Sequence, residues 1–225
     1  MEKNYRDLSP ADREPLRVFI GYDKRQPLAF SVLSASIVKY GSVPISITPL
    51  KLTTLPIKRR GLTDFTYSRF LVPWLCSFTG AALFLDADMV VTADIKELFE
   101  CKDGTEVQVM KKQKSFEWAS AMLFNCAECR ILTPDFVDNK ANALLDLKWA
   151  RSVGEFPEEW NRCVGYSSEK SPAKLYHFTK GIPCWPETQN NQEDAVWFQA
   201  FEEANYTVSW QELMGQSIHA QPQAC

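Results

Sequence analysis

Apolar residues recur along this chain in short runs separated by amphipathic stretches. Residues 16–20 form a first run closed by Gly21, the pattern of a buried strand that opens into a loop. Residues 28–40 then place Leu28, Val32, Leu33, Ser36 and Ile37 at helical spacing, with Gly41 as a stop. A second strand is predicted over 45–50. Thr63 or Asp64 can cap a helix running through Phe65, Arg69, Phe70 and Leu75, with Pro73 kinking it or ending its first part. Residues 81–85 (Ala-Ala-Leu-Phe-Leu) are a third buried strand that runs directly into Asp86. Further strands are expected over 107–110 and 121–124, a helix over 138–147, and an amphipathic helix over 192–204 closed by Asn205. Residues 152–172, rich in Gly, Pro, Ser and charge, read as irregular. Strands alternating with helices predict an α/β fold: a mostly parallel sheet covered on both faces, with ligands beyond the carboxyl ends of its strands.

Composition narrows the class. The 225 residues suit one compact domain with a full core, and 45% hydrophobic with 24% charged residues are ordinary globular values. A net charge of −3 gives no diffuse attraction to nucleic acid or anionic membranes, so such binding needs a local patch. Lys58-Arg59-Arg60 and Lys111, Lys112 and Lys114 are the two candidates. No apolar run reaches the roughly 20 residues that span a bilayer, the first 14 residues carry no apolar signal core, and a cytoplasmic protein is expected. Seven scattered cysteines fit reduced thiols. Cys126 and Cys129 have zinc-knuckle spacing, but a tetrahedral site needs four ligands and no second such pair exists.

The chemistry concentrates at Asp86-Ala87-Asp88. Two carboxylates two residues apart, on backbone leaving a strand, can share one divalent cation. Hard oxygen ligands favour Mg2+ or Mn2+, and these ions keep positions open for a substrate diphosphate. Taken alone, the triplet is equally a solvated acidic turn.

The surroundings of the triplet add a resemblance. Tyr67-Ser68-Arg69-Phe70-Leu71-Val72-Pro73, then Ala82-Leu83-Phe84-Leu85-Asp86-Ala87-Asp88-Met89-Val90-Val91, then Asp94-Ile95-Lys96-Glu97-Leu98 resembles, in order and spacing, glycosyltransferase family 8, the group of glycogenin and the bacterial lipopolysaccharide galactosyltransferases. Val18-Phe19-Ile20-Gly21-Tyr22-Asp23 is similar to that family's nucleoside-binding strand and loop, and His177-Phe178-Thr179-Lys180-Gly181-Ile182-Pro183-Cys184-Trp185 to its closing motif. The resemblance implies a GT-A type nucleotide-diphospho-sugar transferase fold. It implies that Asp86, Asp88 and His177 bind Mn2+ or Mg2+, and that Arg69 lies against the donor sugar and diphosphate. Tyr22 would stack on the base, Asp23 accept its N–H, and Lys180 with Gly181 hold the diphosphate. Outside the resemblance, Arg69 reads as a helix-surface residue and His177 as a hydrogen-bonded structural histidine. Two departures stand out. Lys180 precedes Gly181 where the family has the reverse, and of the segment around the family's Trp-Asn pair only Glu159-Trp160-Asn161 remains.

The implied reaction moves a hexose from a nucleotide sugar, a UDP-sugar, to a hydroxyl acceptor with retention of configuration. Retention needs a carboxylate nucleophile or front-face attack. The candidate carboxylates are Asp146, Glu187 and above all Asp194, whose other reading is a first-turn acid favoured by the helix dipole. Trp118, Trp149, Trp160 and Trp185 are candidates to stack on an acceptor sugar, with nucleic acid disfavoured as acceptor. The domain expected is 15–212, with a nucleotide-sugar half (15–110) and an acceptor half (111–212), a frayed lead (1–14) and a tail (213–225) that holds His219. The alternatives are a haloacid dehalogenase-type magnesium phosphohydrolase, which also sets Asp-x-Asp after an apolar strand, and an inactive sugar-binding domain on the same fold.

Overall fold

The protein is described from a computed structural model, covering residues 14–111, 115–166 and 172–217. The lead up to residue 13, Lys112, Lys114 and His219 lie outside the described residues. The first apolar run folds as β1 (Leu16–Tyr22). Helix α1 (Pro27–Tyr40) begins on a proline whose missing N–H costs nothing in a first turn, and it buries Ala29, Val32, Leu33, Ser36 and Ile37. β2 (Ile45–Lys51), β3 (Ala81–Leu85), β5 (Val107–Val109), β6 (Ala121–Asn125) and β7 (Val153–Glu155) complete a six-stranded sheet in the order β2-β1-β3-β6-β5-β7. The β2–β1, β1–β3 and β5–β7 pairs are parallel, while β6 is antiparallel to both its neighbours, so β6 alone is reversed.

Apolar residues are continuous through Val18-Phe19-Ile20 of β1 and through β3 because both faces of the sheet are covered. Val18, Ile20, Leu83 and Leu85 face one core, which includes α1, while Phe19, Ala82 and Phe84 face the other, which includes Phe70, Val72 and Leu144. Successive side chains alternate between the two, as strand geometry requires.

A second sheet, β4 (Met89–Val91), β9 (Leu175–His177) and β8 (Trp160–Cys163), has the order β4-β9-β8. Ser36 ties α1 to it: its Oγ donates to Leu33 O (2.9 Å) and accepts from Val91 N (3.2 Å). Helix α5 (Asp194–Ala204) packs on α1 from outside and buries Trp197 and Ala200. The remaining helices are short: α2 (Val72–Leu75), α3 (Lys96–Glu100), α4 (Pro134–Asp138) and α6 (Trp210–Met214).

Several elements differ from the sequence pattern, β4 and β9, which it does not predict, among them. The helix expected from 63 to 75 is a turn, a 3-10 segment (Ser68–Leu71) and the single turn α2. Pro73 is tolerated only in the first turn of α2, and Ser77 and Phe78, both at positive φ, end the segment. The helix expected over 138–147 is absent. Thr133 caps α4 earlier, and Arg59 Nη1 donates to the carbonyls of Val137, Asn139 and Asn142 (3.2, 2.8 and 3.1 Å), which a continuing helix would use itself. Asp138 Oδ1 accepts from the backbone of Lys58 and Arg59 (2.7 and 2.6 Å). The basic run at 58–60 is thus partly consumed in packing. Residues 152–172, expected to be irregular, hold β7 and β8; strands of three and four residues are too short to show a period.

Candidate active site at the junction of two sheets

The triplet Asp86-Ala87-Asp88 is the passage from one sheet to the other. Asp86 follows the last residue of β3, and its N–H donates to Ser120 O (2.8 Å) at the foot of β6. Ala87 is buried, and Asp88 precedes β4. β4 pairs with β9 so that Met89 lies opposite His177, and Phe178 N donates to Asp88 O (2.8 Å). Strand register therefore sets the imidazole beside the second aspartate. His177 Nε2 stands 3.4 Å from Asp88 Oδ1. The ligand atoms of Asp86, Asp88 and His177 all lie within 4.8 Å of one another.

Arg69 is 6% exposed, which excludes the surface position its helix spacing suggested. Its Nη2 is 3.0 Å from Asp86 Oδ1, Nη1 donates to Ala119 O (2.5 Å) and Nε to Phe65 O (3.3 Å). The guanidinium also lies 4.9 Å from the centre of the Phe84 ring. Burial, the largest influence, pushes the Asp86 carboxyl up to about 7; the charge of Arg69 opposes the shift and that of Asp88 adds to it. For His177 burial is again the largest single influence and acts downward. The attraction and hydrogen bonding of Asp88, with Cys163 and Asp86, outweigh it and hold the imidazole well above its usual value. The Oδ1 atoms of both aspartates are buried, and their ion-pair contacts with Arg69 and His177 are the approaches described for them, neither in full hydrogen-bond geometry. Buried oxygens of that kind are uncommon, and a divalent cation is one group that would satisfy them.

The nucleoside-loop residues lie at the same edge of the sheet. Ile20 pairs with Leu85 in parallel, so Tyr22 and Asp23 leave β1 on the side where Asp86 leaves β3. Tyr22 meets Phe30 edge-on at 5.7 Å. Asp23 is 1% exposed and accepts from Arg25 N, Nε and Nη2 (3.0, 2.9 and 2.5 Å) and from Asp64 N (3.3 Å). Four donors fill a carboxylate, which leaves no open site for the N–H of a base. Those hydrogen bonds, from the Arg25 side chain first, hold its pKa at about 2 against the opposing effect of burial.

The other candidates make contacts of their own. Lys180 is exposed, donates to Gly165 O (3.3 Å) and lies 4.6 Å from the centre of the Tyr166 ring. Gly181 has φ +111 and closes a turn through Gly181 N to Phe178 O (2.7 Å). Asp194 is buried at the start of α5, where its two oxygens accept from Asn191 N and Nδ2 (3.0 and 3.3 Å). Asp146 pairs with Lys148 (2.8 Å) and Glu187 is exposed. Of the tryptophans, Trp160 is a core residue, Trp149 packs on Phe70 and Phe124, and Trp185 is exposed. Cys126 and Cys129 are buried free thiols, the Cys129 thiol being pushed up to about 12, by burial above all. One buried carboxylate beside His177, that of Glu117, has no sequence signal of its own: it lies in a 3-10 segment (Ser115–Ser120), without strand or helix periodicity.

The fold is that of the GT-A glycosyltransferases. Glycosyltransferase GlyE of Streptococcus pneumoniae TIGR4 superposes with a TM-score of 0.63 at 14% identity, over 83% of this chain and 60% of that one. Galactosyltransferase LgtC, in complex with donor and acceptor sugar analogues, superposes with a TM-score of 0.60 at 10% identity, over 88% of this chain and 99% of that one. No family model matches the sequence. Protein CDI of Arabidopsis thaliana is 31% identical over 235 residues, spanning 87% of this chain and 89% of that protein, and the chain belongs to the family of Protein CDI.

Proposed function

We propose that this protein is a cation-dependent glycosyltransferase, similar to family 8, that transfers a hexose from a UDP-sugar to a hydroxyl acceptor with retention of configuration. The observation that carries this reading is the convergence of Asp86, Asp88 and His177, beside Arg69, at the carboxyl edge of a GT-A type sheet. These residues would hold Mn2+ or Mg2+. When bound, such an ion neutralises charge developing on the departing diphosphate. The two aspartates contribute hard oxygen ligands and His177 a nitrogen. Arg69 keeps a fixed positive charge against Asp86, because the Phe65 and Ala119 carbonyls and the Phe84 ring leave its guanidinium little room to move. Tyr22 is assigned to the base. Asp23 is assigned to the shape of the loop, through Arg25 and Asp64. Asp194 is assigned to the first turn of α5, where Asn191 donates to each of its oxygens. The LgtC complex, with its donor and acceptor sugar analogues, supports a saccharide acceptor. A cytoplasmic location is part of the proposal, supported by free thiols at all six described cysteines; no helix among the described residues is long and apolar enough to cross a membrane.

The test is a screen of UDP-sugars with Mn2+, reading UDP release with and without saccharide acceptors. Cation-dependent UDP release is expected. Phosphate release from phosphomonoesters would instead establish the hydrolase, and sugar binding without turnover would establish an inactive binder.

A further inference from the structure

The imidazole of His177 has a second side, unused in the reading above. With Nε2 directed at Asp88, Nδ1 faces Glu117 Oε2 at 3.6 Å and Cys163 Sγ at 3.9 Å. Glu117 is buried and is itself held in place. Thr179 Oγ1 donates to its Oε1 (3.1 Å), Ser120 Oγ donates to its backbone carbonyl (2.6 Å), and Asn161 Nδ2 donates to Ser120 Oγ (2.9 Å). Thr179 lies two residues beyond His177, so the segment that supplies the imidazole also fixes the carboxylate behind it. An imidazole that ligates through Nε2 must carry its proton on Nδ1 and needs an acceptor for it; carboxylates commonly fill that place. Of the two groups at Nδ1, Cys163 is within hydrogen-bond range for sulfur, while Glu117 is the better acceptor and stands just outside the range for oxygen, a gap that a small shift of either side chain closes.

We propose that Glu117 is a positioning residue: its carboxylate accepts the Nδ1 proton of His177, and so fixes the ring with an unprotonated Nε2 turned toward the cation held with Asp86 and Asp88. This rests on the reading of those three residues as a cation site. The competing use of the cluster is a thiophilic metal site of Glu117, Cys163 and His177, whose ligand atoms also lie within 4.8 Å of one another. It offers three protein ligands where a closed structural zinc site takes four.

The chain has only two histidines, so their 15N imidazole resonances can be assigned with a His177 variant. In the full-length protein loaded with Mg2+, His177 is expected to carry its proton on Nδ1. Mn2+ affinity should fall roughly 10- to 100-fold in Glu117→Ala. It should fall less in Glu117→Gln, which keeps an acceptor oxygen, and stay unchanged in Cys163→Ser. A proton on Nε2 in the Mg2+ form, or Mn2+ affinity in a folded Glu117→Ala within twofold of wild type, would overturn the proposal; should Glu117→Ala not fold, an unchanged Glu117→Gln does the same. A thiolate-to-metal band in the Co2+-loaded wild type that vanishes in Cys163→Ser would also overturn it and establish the thiophilic site. Wild-type protein that binds neither Mn2+ nor Mg2+ defeats the cation-site reading itself. The metal-free protein then decides the Glu117 contact separately: slow exchange of the Nδ1 proton, lost on substitution of Glu117, supports it, and equal exchange in both overturns it.

Discussion

Asp88 and His177 are adjacent because two backbone strands pair, so removing either side chain leaves the pairing intact. Asp88→Ala is therefore expected to abolish cation-dependent turnover while circular dichroism and thermal midpoint stay near wild type. Near wild-type turnover would remove Asp88 from the cation site. Asp23 gives a prediction with a pH sign. Its folded-state pKa of about 2 lies below the ordinary 3.8, so its contribution to stability is fully present above the unfolded value and is lost as pH falls through the folded one. The difference in thermal midpoint between wild type and Asp23→Asn should be constant above pH 5 and shrink between about 4 and 2. A difference that grows on acidification would contradict the bonding of Asp23 to Arg25 and Asp64.

At the scale of elements, Arg59 decides where α4 stops. Its guanidinium collects one carbonyl in the last turn of that helix and two beyond it, and stacks 3.8 Å from the centre of the Tyr67 ring. Arg59→Ala leaves those carbonyls without their donor and is expected to cost about 1–3 kcal/mol in denaturant unfolding. Faster amide exchange at 137–142 should accompany the loss, and unchanged exchange there would show that the segment holds itself. Such contacts are why the helix expected over 138–147 was misread: local pattern favoured a helix, and a cation 80 residues away in sequence took its acceptors. The strands β1, β2, β3, β5 and β6 were legible, each within two residues of its observed ends, because a short apolar run identifies a buried strand. β7, β8 and β9 were not, since Val-Gly-Glu, Trp-Asn-Arg-Cys and Leu-Tyr-His mix polar with apolar residues and hold as strands through their partners.

At the scale of the molecule, the proposed site lies where two sheets meet, so a ligand bound there should stabilise both together. With Mn2+ and UDP at about 100 times their apparent dissociation constant, folding should gain about 2.7 kcal/mol, a rise in thermal midpoint of several degrees that Asp88→Ala abolishes. An equal rise in the variant would place ligand binding elsewhere. The sequence by itself determined the α/β class and the strand that ends at Asp86, because apolar pattern is a local property of the chain, and its resemblance to family 8 singled out Asp86, Asp88, Arg69 and His177 as candidates. Only the tertiary structure decided which of these meet. Pairing of β4 with β9 brings His177 to Asp88 across 89 residues, burial turns Arg69 from the surface onto Asp86, and Glu117 comes to stand behind the imidazole. Those contacts depend on strand register and on which polar groups lose water together, and neither is written in the spacing of residues along the chain.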